Sequence, residues 1–258
     1  ERPDEVITLK FMAHALVRQG KTDEGIALLT RIAELEPDSA EAQVSLGAGL
    51  LVEGNAEDAA KHIAAALELD PEFQQGDMLL VLSHVQRGDF DAAMQAAKSY
   101  AQRNPDKAMP ANLVAWVHAR SGDLEAARAA YTRVLEIDPA DPGANHSLAQ
   151  FALAENDTEA AIARYERILE AQPDNLPAQL QLAKIDAMRG EADAVTARLD
   201  AAIEAHPQAL EPRLMLARHY LSQGRPDKVS TALLGLDESR RRHPSVLQVI
   251  ALAQIAEK

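Results

Sequence analysis

No cysteine occurs in the 258 residues of this chain. A disulfide framework and a thiolate zinc site are therefore excluded, while oxidising and reducing compartments both remain open. Aromatics are scarce, at 3% of the chain against 47% hydrophobic residues. Alanine and leucine carry the apolar content, which suits closely packed helices better than sheets. Basic charge is in deficit: 26 Lys and Arg face 40 Asp and Glu, for a net charge of −14. That balance argues against nucleic acid as a partner, since phosphate binding needs clustered Lys and Arg. No run is long and apolar enough to span a bilayer, so direct membrane insertion of this segment is not expected. A phosphate-binding glycine loop and a nucleophile elbow are also missing. The chain opens on Glu1 without a signal peptide, which points to a processed or excised piece whose address has been lost.

What is present is a beat. Pro3, Pro37, Pro71, Pro105, Pro139, Pro173 and Pro207 stand 34 residues apart. Gly20, Gly54, Gly88, Gly122, Gly190 and Gly224 keep the same period, and Asn156 fills the one gap. Asparagine is the residue best able to replace glycine at a left-handed position. Ala40 to Phe73 serves as the type unit. Val44, Leu46, Gly47, Leu50 and Leu51 recur at helical spacing; Gly54 then ends the helix. A second stripe runs through Ala59, Ile63, Ala66 and Leu67 until Asp70-Pro71 stops it. Each unit reads as helix–turn–helix, with apolar faces that only its neighbours can cover.

Within this 34-residue frame, position 8 is mostly small (Ala13, Gly47, Val81, Ala115, Ala149, Ala183, Ala217), as is position 20 (Gly25, Ala59, Ala93, Ala127, Ala161, Val195, Val229). With glycine at 15, a large residue at 24 and proline at 32, the pattern resembles the tetratricopeptide repeat. The resemblance implies an all-α fold, a right-handed α-solenoid superhelix. The boundaries follow: 1–5, the tail of a preceding repeat; repeats at 6–39, 40–73, 74–107, 108–141, 142–175, 176–209 and 210–246; and 247–258, the first helix of a truncated eighth. The seventh repeat is three residues longer because its closing proline, Pro244, comes late, which predicts a longer second helix or a small insertion. Position 4 departs from the family: Leu9, Gln43, Asp77, Ala111, Asn145, Gln179 and Arg213 replace its large residue.

The last helix is apolar nearly all round (Val246, Leu247, Val249, Ile250, Leu252, Ile255), unlike a terminal cap with a polar outer face. End-to-end self-association through these open ends is expected. The resemblance further implies that positions 2, 5, 9, 12 and 13 of the first helices line a concave groove. In the five middle repeats only three of those 25 residues are charged, in a chain that is 26% charged. A groove for a protein or peptide segment is therefore expected, with Val44, Leu51, Met78, Leu82, Val85, Met109, Asn112, Trp116, Arg120, His146, Gln150, Leu180 and Lys184 as its candidate contacts. Trp116, the single tryptophan, is the natural anchor. The carboxylate clamp of some family members is not expected: Lys10 and His14 take its first two positions, but Val44 and Ala48 follow where polar residues are needed.

Eight histidines invite a metal reading, yet no convergent ligand set is visible and no cofactor or metal is expected. Acidic residues fall on outward helix faces without a pair placed for acid–base work, so the chain reads as non-catalytic. Arg240-Arg241-Arg242-His243 closes the seventh repeat, where cations complement a helix dipole. Between Pro110 and Val229, the stretches PANLVAWVHARSGDLEAARAAYTRVLEIDP, LAKIDAMRGEADAV and LEPRLMLARHYLSQGRPDKV are similar to the tetratricopeptide lipoproteins of bacterial exosortase (PEP-CTERM) clusters. That likeness implies a scaffold in exopolysaccharide or protein-sorting machinery at the periplasmic side of the cell envelope. The competing reading is a substrate-presenting region of a larger enzyme, such as a glycosyltransferase, with a cytoplasmic address as the alternative.

Overall fold

The computed structural model describes residues 3–257, and every regular element among them is helical. The chain divides into two compact units, Glu1–Ile137 and Asp138–Lys258. The first unit is four consecutive helical hairpins: α1 (Pro3–Arg18) with α2 (Thr22–Leu35), α3 (Ala40–Glu53) with α4 (Ala56–Leu69), α5 (Gln74–Gln86) with α6 (Phe90–Arg103), and α7 (Ala108–Ser121) with α8 (Leu124–Ile137). The second unit holds α9 (Pro142–Ala154) with α10 (Thr158–Ala171), α11 (Leu176–Met188) with α12 (Ala192–Ala205), then α13 (Leu210–Ser222). A 3-10 turn (Pro226–Lys228) follows, with the short helices α14 (Val229–Ala232) and α15 (Glu238–Arg241), and finally α16 (Pro244–Ala256).

The hairpin turn is written in two adjacent residues. A left-handed residue ends the first helix, and in four hairpins an Asp or Asn caps the second, while Lys21 and Glu191 stand there in two others without a side-chain cap. Asn156 takes φ 63°, the one positive value outside glycine among the described residues. Asn55, Asp89, Asp123 and Asp157 each accept a hydrogen bond from the backbone N–H three residues on, at 3.0–3.3 Å. A cap of this kind stabilises a helix by about 1 kcal/mol, so the signal repeats with real weight.

Small residues set the spacing between the paired helices. Ala13, Val81, Ala115, Ala149, Ala183 and Ala217 at position 8 are fully buried, as are Ala59, Ala93, Ala127 and Ala161 at position 20. Gly47 shows how close the approach is: a Cβ there would lie 2.5 Å from Ile63 Cγ1. Where position 24 is small (Ala97), the fully buried Tyr100 one turn later supplies the volume.

Position 4 explains its departure from the family. Its polar side chains reach back to the carbonyl of the proline six residues earlier. Gln43 donates to Pro37 O (3.4 Å), Asn145 to Pro139 O (3.0 Å), Gln179 to Pro173 O (2.7 Å) and Arg213 to Pro207 O (3.0 Å). Asp77, which as a carboxylate has no proton to give, recruits Arg103, and that guanidinium bonds both Asp77 and Pro71 O. The staple thus ties the turn between repeats to the helix that follows, worth about 1 kcal/mol for each neutral bond.

Two expectations are corrected. α1 begins at Pro3, so 3–5 form its first turn and not the tail of an earlier repeat, while 1–2 lie outside the described residues. Proline is tolerated there because the first helical N–H needs no partner. The seventh repeat has neither a longer second helix nor a simple insertion: its second helix is broken. Arg213, 6% exposed, donates to the carbonyls of Ala232 and Leu234, drawing them out of any helical ladder. Gly235 at φ 84° then turns the chain before Asp237 caps α15. Backbone and side-chain bonds from Arg240 and Ser239 hold the Asp237 carboxyl down at about 2.

Candidate functional site

In the first unit the first helices touch one another, α3 with α5 and α5 with α7. Their faces carry the predicted apolar contacts, but not all of them are open. Met78 and Met109 are each 42% exposed, and Val52 on α3 reaches 64%. Leu82, Asn112 and Trp116 are half-buried, and Arg120 is exposed. Trp116 packs against the cluster of Val81, Val85, Ala93, Ala97 and Val117 and stays partly exposed.

Four predicted contacts are withdrawn from any partner. Val44, Leu51, Val85 and Leu180 are between 2% and 7% exposed and belong to the core. Leu51 joins Leu29, Leu46 and Leu50; Val85 joins the cluster under Trp116; Leu180 joins Ala183, Leu199 and Leu216. The small residues at positions 8 and 20 bring neighbouring helices close enough to close over these side chains.

The second unit presents different chemistry. His146 and Gln150 stand one turn apart on α9, with Tyr165 of α10 fully buried below. Gln150 Nε2 donates to Tyr165 Oη at 2.7 Å, and Tyr165 Oη lies 3.3 Å from His146 Nδ1. Burial, reinforced by the Lys184 ammonium, pushes the His146 imidazole below its ordinary value. Burial raises the Tyr165 phenol despite the bond from Gln150. Lys184 on α11 is exposed. Position 24, read in sequence only as a core position, was the missing member of this set: tyrosine there carries a hydroxyl that positions 5 and 9 can reach.

Other candidates resolve plainly. Lys10, first of the clamp positions, is engaged by Glu41 at 3.1 Å and Glu36 at 3.5 Å. His118 faces Asp123 at 3.7 Å, and burial lowers His84 in spite of nearby Asp89. Among the described residues no group of three His, Asp or Glu converges as metal ligands would, and no helix is long and apolar enough to cross a membrane. A cavity of about 440 Å³ opens in the second unit beside α14 and α16, lined by Val229, Leu233, Leu234, Val246, Ile250 and Ala253.

Comparisons with known proteins agree on the architecture. Tetratricopeptide repeat models match residues 12–72 and 78–142, and a second such model matches 118–185, 152–208 and 186–253. A tetratricopeptide repeat protein from Parabacteroides merdae superposes with a TM-score of 0.57 at 11% identity, covering 97% of this chain and 99% of the other. The pilF protein of Pseudomonas aeruginosa gives 0.57 at 19% identity, covering 85% and 97%. The Cut9–Hcn1 hetero-tetramer of the APC/C gives 0.58 at 17%, covering 95% of this chain; this chain spans 48% of that one. No curated protein sequence matches. At these identities the likeness speaks for the fold: an all-α solenoid of helical hairpins.

Proposed function

The chain belongs to the tetratricopeptide repeat family, whose members act as protein-interaction scaffolds, and from that premise we propose that its first unit seats a partner segment on the faces of α3, α5 and α7. The observation that carries this is the exposure of Met78 and Met109 on helices that, with the half-buried Trp116, present faces nearly free of charge in an acidic chain. Contiguous apolar surface of this kind marks a contact site, methionine adapts to varied partners, and tryptophan anchors them. Such a scaffold needs no catalytic group of its own. The repeat wording of 110–229 supports a place in exopolysaccharide or protein-sorting machinery at the cell envelope.

Trp116 supplies its own assay, being the single tryptophan. Proximity labelling in the source organism should enrich a set of proteins, and a purified member of that set should shift the Trp116 emission to the blue. Leu82→Asp with Met78→Asp should abolish both while helicity is kept. Unchanged enrichment with that double variant would sink the proposal.

Self-association is the second part of the reading. Ile7, Phe11 and Met12 on α1 are 51–74% exposed, as are Leu247 (53%) and Ile255 (70%) on α16. Faces of this kind support contact between copies through the ends. Sedimentation velocity should show concentration-dependent association that Phe11→Asp or Ile255→Asp removes; a monomer at all concentrations would exclude it.

A further inference from the structure

A second pocket, of about 290 Å³, lies in the first unit between α2 and α4 with α3 beneath, apart from the partner face proposed above. Ala33, Leu46 and Leu50 are buried and form its apolar floor. The Glu34 and Asp58 carboxylates stand at its rim, 59% and 49% exposed, and half-buried His62 lines it too. One amide fixes what His62 offers. Gln43 Nε2 donates to Pro37 O, so the Gln43 oxygen is the atom turned to His62 Nδ1, at 2.8 Å. A carbonyl oxygen only accepts; Nδ1 therefore carries the ring proton, and Nε2 of the neutral ring keeps its lone pair. The helix pair does not ask for these groups. Asp58 and His62 hold positions 19 and 23, where the third repeat has Ala92 and Ala96 and the fourth has Ala126 and Ala130.

We propose that this pocket takes an arginine side chain from a partner segment. From the scaffold reading it needs only that the partner is a protein. Two carboxylates and an imidazole nitrogen offer acceptors, and a guanidinium is all donors, five in one plane. The arginine stem covers apolar surface while its head meets acids, which matches a buried floor under an exposed rim. Among the described residues no three His, Asp or Glu converge as on a metal ion, so a planar fork suits these spread acceptors better than a point charge. The carboxylates keep room for it. Glu34 receives Arg31 at 3.1 Å, and Asp58 receives Lys61 at 2.9 Å and Asn55 at 3.0 Å. Such exposed ion pairs are weak, and a carboxylate has about four acceptor sites. Lys61 is shared with Glu57, and α3 adds no charge to the lining, so Glu34, Glu57 and Asp58 outnumber Arg31 and Lys61. The net charge of −14 draws a basic segment toward the chain.

The test uses the full chain and four probes: blocked Gly-Arg-Gly, its lysine and citrulline counterparts, and free L-arginine. NMR titration should move the His62 ring and the amides of α2 and α4 with the arginine peptide. Its affinity should exceed that of the lysine peptide about threefold and that of the citrulline peptide about tenfold. Asp58→Ala with His62→Ala should weaken binding about tenfold while helicity is kept, since alanine is native at both positions in two other repeats. Glu34→Gln should weaken it about threefold. Glu68→Gln makes the same change at position 29 of the next repeat, ahead of Ala92 and Ala96, and should leave affinity unchanged. An unmoved His62 ring, full affinity in the double variant, or equal losses from Glu34→Gln and Glu68→Gln overturns the proposal. If the double variant loses its helicity, the two glutamate variants decide. Equal binding of the lysine or citrulline peptide overturns the choice of arginine, and an equal response to free L-arginine overturns the assignment to a peptide segment. The probes carry no apolar side chain for the Met78 face, so failure here leaves the result at Leu82 and Met78 standing, and failure there leaves this one.

Discussion

The same repeat position does different work in the two units. Position 9 is Leu82 and Trp116 in the first unit but Gln150 and Lys184 in the second. Position 5 is Met78 in one and His146 in the other. Backbone and turn are shared, so the contrast isolates side-chain chemistry: a face with exposed methionines in one unit, and a hydrogen-bonded polar face in the other. The family pattern constrains the positions that pack helix on helix and leaves the exposed positions free to diverge.

The staple at position 4 gives the sharpest way to break the comparison. In the first unit Gln43 reaches a single carbonyl, that of Pro37, by a long bond, and its Oε1 meets His62 Nδ1 at 2.8 Å, whereas Arg213 in the second satisfies three carbonyls, those of Pro207, Ala232 and Leu234. Arg213→Met should cost about 3 kcal/mol or more, since buried carbonyls lose a charged donor; Gln43→Met should cost about 1 kcal/mol or less. Urea unfolding of the two variants measures this, and equal losses would mean that the broken helix of the seventh repeat does not depend on Arg213.

Position 8 comes next. Alanine is native there in both units (Ala13 and Ala115, Ala149 and Ala183), but in the second repeat a Cβ on Gly47 would meet Ile63 Cγ1 at 2.5 Å. Alanine gains about 1 kcal/mol of helix propensity over glycine. Overpacking of this severity costs about 1–3 kcal/mol, so Gly47→Ala should be net destabilising by roughly 1 kcal/mol. Paired with Ile63→Ala, it should cost less than the sum of the two single changes by about 0.5 kcal/mol or more, as contacting residues couple. Strict additivity in that double-mutant cycle would show that the helices simply move apart.

The smallest effect is a pH slope. Burial lowers both His84 in the first unit and His146 in the second. The unfolded chain therefore takes up protons first as pH falls below about 6.5, and stability declines until pH passes the lowered folded values. His84→Leu should flatten the slope of unfolding free energy between pH 7 and 5 without removing it, because His146 still contributes. An unchanged slope would mean that His84 is charged freely in the folded state.

Much of this fold could be read from residues. Asn156 in the glycine series anticipated a left-handed turn, and it sits at φ 63°. The odd polar series at position 4 was visible, and its use was encoded too where Gln43, Asn145, Gln179 and Arg213 lie six residues after the proline each serves; Asp77 breaks that rule through Arg103. The break in the seventh repeat showed only as a late Pro244. Arg213 gave no sign of being drawn into that hairpin, because an arginine on a first helix reads as solvated.

The sequence by itself determined the hairpins, their caps and their period, because these depend on residues within one or two helical turns of each other. Only the tertiary structure decided that Val44, Leu51, Val85 and Leu180 close into the core while Met78 and Met109 stay open. It also decided that Tyr165 joins Gln150 to His146. Exposure and hydrogen bonding between helices turn on differences of an ångström in helix separation, and that separation is set jointly by side-chain volumes that the repeat spreads along the chain.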